Sequence, residues 1–214
     1  LYRQKIIALG ADNGDEPHYE ILVRMLDQSG NLIPPNGFMP AAERYNLLSS
    51  IERWVISSLV EFLHQQHASG AIPHEKTAFT NAFYAVNLSG VSINDNSFPE
   101  FVRKLLTRFN LPRGLLCFEV TETTAISNLT KAAQLMHELK AMGCRFALDD
   151  FGIGMSSFAY LKYLPVDYIK IDGVFIRDMA VDPMDHAIVE AINRIAHILG
   201  LKTVAEFVEG ETTL

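Results

Sequence analysis

Glu20, Glu119, Asp149, Asp150 and Glu206 sit in short apolar or β-branched runs spread along nearly the whole chain, and Asn87 and Lys170 sit in runs of the same kind. A carboxylate inside a core-like strand is costly unless it is paired or holds a cation, so repeated acids in such settings point to a metal site. Neither Cys nor His joins the set, and oxygen donors of this kind suit Mg²⁺ or Mn²⁺ better than zinc. The adjacent Asp149 and Asp150 can serve two cations, one carboxylate bridging them. Two ions roughly 3.5–4 Å apart activate a water and steady the leaving oxygen of a phosphodiester, which makes phosphodiester hydrolysis the leading chemistry. Each residue also has a plainer use. Glu20 could end a strand in solvent, Asn87 could cap or turn, and Asp149-Asp150 before Phe151-Gly152 could form a turn. Lys170 could pair with an acid, or act as the Schiff-base nucleophile of a lyase. The number of separate strands that agree favours the metal reading.

Those strands alternate with helices. Tyr2 to Leu9 and Tyr19 to Met25 read as strands on either side of a polar turn at 10–16, followed by a loop rich in Pro and Gly (Pro34, Pro35, Gly37, Pro40). Ser49 with Glu52 reads as a capping box, opening a helix with Ile51, Trp54, Val55, Leu59, Phe62 and Leu63 on one stripe and Gly70 beyond its end. Phe83 to Leu88 is a strand, Ser97 with Glu100 a second capping box before a helix through Phe109, and Leu115 to Thr121 a strand. A helix over 127–142 buries Leu129, Ala132, Leu135, Met136 and Leu139 and stops at Gly143. Arg145 to Phe151 is a strand, a short helix spans Ser157 to Leu164, and Tyr168 to Asp172 is a strand. Asp182-Pro183 opens a long helix to Gly200, and Thr203 to Val208 is the last strand. Near-continuous apolar strands alternating with helices predict an α/β fold with a parallel sheet, and the strand count favours a barrel. In a barrel the active-site groups gather at the carboxyl ends of the strands. Strand parity puts Glu20, Leu22 and Arg24 on one side, Glu119 with Thr121, and Lys170 with Asp172.

The chain has 214 residues, 49% of them hydrophobic, which is enough for one full core. Cys117 and Cys144 lie in or beside apolar runs and read as buried thiols in a reducing cytoplasm. No apolar stretch is long enough to span a bilayer, so the domain itself is expected to be soluble, without membrane contact, while its parent protein stays free to carry an anchor. A net charge of −7 disfavours a DNA or RNA duplex as partner, although divalent cations plus a local Arg or Lys can reverse the field at one phosphate. Gly152-Ile153-Gly154 lacks the later residues of a phosphate loop and reads as a mobile turn. The histidines show no zinc spacing; His64 and His67 end an exposed helix, and His137, His186 and His197 lie within amphipathic helices.

With these segments in place the sequence resembles the EAL family, bacterial phosphodiesterases that hydrolyse cyclic di-GMP. The likeness is carried in order by Tyr19-Glu20-Ile21-Leu22-Val23-Arg24, Val86-Asn87-Leu88-Ser89, Phe118-Glu119-Val120-Thr121-Glu122, Leu148-Asp149-Asp150-Phe151-Gly152, Ile169-Lys170-Ile171-Asp172 and Val204-Ala205-Glu206-Phe207-Val208-Glu209. The resemblance implies a TIM-like (β/α) barrel whose first strand runs antiparallel. It also implies a single EAL phosphodiesterase domain over 1–214, of the kind joined to GGDEF domains, cut short at the C-terminus so that the last strand is missing. The implied reaction is metal-dependent opening of cyclic di-GMP to linear pGpG, with two Mg²⁺ or Mn²⁺ ions per site. Glu20, Asn87, Glu119 and Asp149 resemble the ligands of one ion, and Asp149 and Asp150 those of the second, with Glu206 near it or its water. Lys170 resembles the residue that orients or activates the water, so Lys170 and Glu206 are the implied catalytic pair. Gln4, Leu22 and Arg24 resemble substrate contacts, while Glu122, Asp172 and Glu209 resemble supporting acids. Ile21 stands where the family name has Ala, Ile153 where a small or hydroxyl residue is usual, and Phe207 where many members have Gly. The family further implies a homodimer through the segment after Asp150, with Phe151, Met155, Phe158 and Tyr160 as exposed contacts, and sensor or GGDEF domains in the parent chain. The competing expectation is a weak or inactive EAL domain serving as a cyclic di-GMP receptor.

Overall fold

Strands with apolar side chains on both faces must be covered on both faces, and this is how they are placed in the computed structural model, which describes residues 1–9, 18–68, 82–154 and 158–210. The expected turn at 10–16, Gly70, Met155, Ser157 and the end of the chain after 210 lie outside the described residues. Two compact units are distinguished, Leu1–Phe118 with Ala141–Cys144, and Glu119–Lys140 with Arg145–Leu214.

In the first unit β1 (Tyr2–Ile6) pairs antiparallel with β2 (His18–Leu22), Gln4 opposite Glu20. The second strand stops at Leu22, short of the expected Met25. The chain then forms a separate hairpin of β3 (Met25–Leu26) and β4 (Leu32–Ile33), whose turn is organised by Asp27 accepting from Ser29 N–H, Asn31 N–H and Asn31 Nδ2. Arg24 therefore lies off the strand, where strand alternation no longer fixes its side. The Pro-rich stretch expected as a loop is helix α1 (Pro35–Arg44): Pro35 occupies the first turn, where its missing N–H costs nothing, and burial of Phe38 and Ala42 offsets the bond lost at Pro40.

Helix α2 (Leu48–Ala68) buries Leu48, Val55, Ile56, Leu59, Val60 and Leu63, a stripe rotated from the expected one, leaving Trp54 52% exposed. Its expected capping box does not form. Glu52 is buried and accepts instead from Ser89 N–H and Ser92 Oγ. Those serines flank and build α3 (Gly90–Ile93), which follows β5 (Phe83–Asn87). Strand β5 runs parallel to β2. At α4 (Phe98–Phe109) Ser97 is the N-cap residue without a side-chain cap bond, and Glu100 pairs with Arg103, so the second capping box is absent as well.

Strand β6 (Leu116–Thr121) leads into α5 (Glu122–Ser127), a helix not anticipated, capped by Thr121. Helix α6 (Leu129–Ala141) buries Ala132, Leu135, Met136 and Leu139 as the periodicity predicts. Parallel strands β7 (Arg145–Phe151), β8 (Tyr168–Ile171) and β9 (Lys202–Ala205) follow, with a short 3-10 turn at Phe158–Lys162. Between them lie α7 (Gly173–Ile176), also unanticipated, and α8 (Pro183–Ile198), capped by Asp182. The sheet order is β1-β2-β5-β6-β7-β8-β9, the order of a (β/α) barrel, with an antiparallel first pair. Phe151 and Tyr160 are buried, which corrects their expected role as exposed dimer contacts; Phe158 stacks on Phe151 at 5.4 Å between ring centroids. Both cysteines are buried free thiols.

Candidate active site

Parallel strands deliver their last residues to one edge, and in the second unit that edge is charged. Glu119 comes from β6, Asp149 from β7, Lys170 from β8 and Glu206 from the residue after β9. Lys170, 3% exposed, places Nζ 3.0 Å from Glu119 Oε2, 2.9 Å from Asp149 Oδ1 and 2.8 Å from Glu206 Oε1. One ammonium thus faces three carboxylates, an excess of negative charge that a protein interior does not carry without a further cation. Asp149 Oδ1 is buried and, despite its closeness to Lys170, lacks hydrogen-bond alignment. A Schiff-base lysine needs an uncommitted neutral amine; this one is held by three ion pairs, which argues against the lyase alternative.

In a regular strand Asp149 and Asp150 would point to opposite faces. Here the β7–β8 register slips between Leu148 and Phe151, and Asp150 adopts φ 53°. A bulge of this kind re-aims a side chain. As a result one carboxylate oxygen each from Asp149, Asp150 and Glu206 lies within 4.8 Å of the others. Burial raises the Asp150 carboxyl above its usual value, with Asp149 and Asp172 adding to the effect. Glu206 is pushed up to about 7, first by burial, which outweighs the opposing pull of Lys170, with Asp149 adding to the rise. Hard oxygen donors, crowded negative charge and a buried carboxylate oxygen lacking a hydrogen-bond partner fit a divalent cation of the Mg²⁺ or Mn²⁺ type.

The supporting acids are placed as follows. Glu122 is buried and accepts from Gly152 N–H at 3.0 Å, from Gly154 N–H at 3.2 Å and from the Tyr160 hydroxyl. A Cβ at Gly154 would fall 2.9 Å from that carboxylate, so the loop after Asp150 wraps closely around Glu122. Asp172 lies past the end of β8 and caps α7 by accepting from Val174 N–H. Glu209 is exposed beyond β9.

In the first unit Asn87 Nδ2 donates to Glu20 Oε1 at 2.9 Å, joining the end of β5 to the middle of β2. Gln4 is opposite Glu20 and exposed, Leu22 is half-buried, and Arg24 Nη1 donates to Val23 O. Sequence reasoning overlooked the hydroxyl of Tyr160 on Glu122 and the left-handed conformation of Phe207, which has φ 51°. The only signal for the second was a bulky residue where Gly is common.

Fold and site together define an α/β domain of barrel strand order that collects carboxylates around a lysine at its strand ends. Residues 9–214 match the family model described as the EAL domain. The chain belongs to the EAL domain family. It is 38% identical over 217 residues to the cyclic di-GMP phosphodiesterase PdeB of Shewanella oneidensis, covering 99% of this chain and 24% of that protein. Against PdeF of Escherichia coli, also a cyclic di-GMP phosphodiesterase, identity is 37% over 91% of this chain and 25% of the relative. The chain therefore spans about a quarter of the length of these curated relatives. Among solved structures, the PaMucR phosphodiesterase in complex with c-di-GMP superposes with a TM-score of 0.84 at 36% identity, over 99% of this chain and 81% of that one. No described helix is long and apolar enough to cross a membrane.

Proposed function

We propose that this chain is a divalent-cation-dependent phosphodiesterase that opens cyclic di-GMP to linear pGpG, lowering a bacterial second messenger. The observation that carries the reading is Lys170 Nζ within 3.0 Å of Glu119, Asp149 and Glu206. Asp149, Asp150 and Glu206 would hold the cations together with Glu119, and on the family resemblance Glu20 and Asn87 are ligands as well. Bound Mg²⁺ or Mn²⁺ supplies positive charge against the phosphoryl oxygens and a water of lowered pKa.

The chain's own groups divide the remaining work. Lys170, as an ammonium, has donors and no acceptor, so it orients a water or steadies a phosphoryl oxygen and takes no proton itself. Glu206 pairs with Lys170 at 2.8 Å and so fixes the ammonium that faces the water. Glu122 fixes the loop that follows Asp150 through the two glycine N–H groups, and so holds the bulge that aims Asp150. Gln4, Leu22 and Arg24 are assigned to the substrate by resemblance.

Incubation with cyclic di-GMP and Mg²⁺ or Mn²⁺, followed by chromatographic detection of pGpG, tests the reading. Absence of pGpG with either ion refutes it, and binding without turnover favours the receptor alternative. A homodimer, and further sensor or GGDEF domains in the parent protein, belong to the same proposal; light scattering tests the first.

A further inference from the structure

Among the described residues four other than glycine have positive φ: Asn46, Asn110, Asp150 and Phe207. The two asparagines sit at or just past the ends of α1 and α4, where their side chain tolerates this conformation. The other two stand at the charged site, Asp150 as one of its acids and Phe207 directly after Glu206. A bulky aromatic in this region is a true outlier, and such strain persists only where its surroundings over-determine it.

Two groups hold Phe207. A Cβ built on Gly173 would fall 2.2 Å from Phe207 Cδ2, 2.7 Å from Cγ and 2.9 Å from Cβ, so position 173 admits no side chain while the ring is there. The Arg177 guanidinium carbon lies 4.5 Å from the ring centroid, a cation–π distance. Both belong to the turn of helix α7 and its end, which begins at the Asp172 cap shortly after Lys170. From the other side Glu206 N–H donates to Ile171 O at 3.2 Å, while its Oε1 reaches Lys170 Nζ at 2.8 Å. The segment after Lys170 and the segment after β9 thus close on each other around the Lys170–Glu206 pair.

We propose that Phe207 is a positioning residue: clamped by Gly173 and Arg177 in the left-handed conformation, it sets the backbone turn that aims the Glu206 carboxylate at Lys170. The kinetic consequence rests on the phosphodiesterase reading; the structural consequence does not.

The test compares the protein with F207A, F207Y, G173A and R177M. Amide hydrogen exchange at Glu206 is read without metal or substrate, Mn²⁺ binding is measured by calorimetry, and kcat and KM are measured for cyclic di-GMP with Mn²⁺. F207A and G173A are expected to exchange about tenfold faster at Glu206. They should also bind Mn²⁺ more weakly and lose about tenfold to a hundredfold in kcat with little change in KM. F207Y keeps the ring and should match the parent in every readout, with R177M in between. Unchanged exchange in F207A and G173A overturns the proposal, as does a rise in KM at constant kcat, which would make Phe207 a substrate contact only. If F207A and G173A do not fold, unchanged exchange in R177M overturns it equally. A parent protein that yields no pGpG refutes the phosphodiesterase reading, and the exchange rates still decide the clamp.

Discussion

Replacing Lys170 with Met keeps the length and volume of the side chain and removes its charge, leaving Glu119, Asp149 and Glu206 facing one another without the ammonium between them. At an effective dielectric near 20, one charge pair about 3 Å apart is worth roughly 6 kcal/mol before desolvation. Repulsion among the three acids and the cost of burying all four groups cancel much of the total, and removing one partner of a buried pair costs about 3–5 kcal/mol. For a chain of this size that is a fall in Tm of about 6–20 °C in the metal-free protein. Cations should bind the variant better, because the repelling ammonium is gone, so Mn²⁺ is expected to raise the Tm of K170M more than that of the parent; at about 100 times Kd the gain from binding is about 2.7 kcal/mol. Turnover should nevertheless fall by about 10²–10³, the loss of one preorganised donor. Thermal melts in EDTA and in Mn²⁺, with a pGpG assay, read all three. A K170M protein that melts within about 2 °C of the parent in EDTA, or that Mn²⁺ stabilises no more than the parent, refutes this account of the site.

Asp150 is left-handed, so D150A and D150G should both lose the proposed metal ligand and bind Mn²⁺ more weakly than the parent, while D150A should be less stable than D150G, which adopts that backbone freely, by about 1 kcal/mol; calorimetric Mn²⁺ titration and urea unfolding of the two variants and the parent check it, and equal stability of the two variants would contradict the strain. Ca²⁺ is larger than Mg²⁺ and tolerates looser geometry, so it should bind and suppress pGpG formation, with Mg²⁺ in excess restoring it in the same assay. Burial pushes the Cys144 thiol from 9.0 up to about 12. Below about pH 9 both folded and unfolded forms are protonated, and between about 9 and 12 only the unfolded chain ionises, so this residue's contribution to stability is lost across that window. Denaturant melts at pH 8 and pH 10.5 should differ less in C144A than in the parent.

Much of the element order was legible because its signals are local. The apolar spacing of α6, the Asp182-Pro183 start of α8 and the run Arg145–Phe151 each carry their own periodicity or cap. The errors came where a side chain is used at a distance. Glu52 follows Ser49 at capping-box spacing, yet its carboxylate serves Ser89 and Ser92 some forty positions away in sequence. Phe151 and Tyr160 look like exposed apolar contacts around the segment after Asp150, yet Phe151 is buried as the last residue of β7 and Tyr160 is buried with its hydroxyl on Glu122. The Pro-rich stretch hid α1 because Pro35 falls where a helix lacks a bond anyway.

The amino-acid sequence alone determined which residues could do chemistry here: acids, an amide and a lysine placed in strands that can be stable only if those groups find partners. It also determined the alternation of strand and helix that sends them toward strand ends. Which of them meet was decided by tertiary structure. Alternation along β7 would separate Asp149 from Asp150, and only a register slip with one left-handed residue turns both toward Glu206. The Lys170 contacts likewise depend on three other strand ends arriving within 3.0 Å of its ammonium. Bulges, positive φ angles and long-range ion pairs are settled by the balance of burial and charge across the assembled sheet, and that balance has no local signature in the chain.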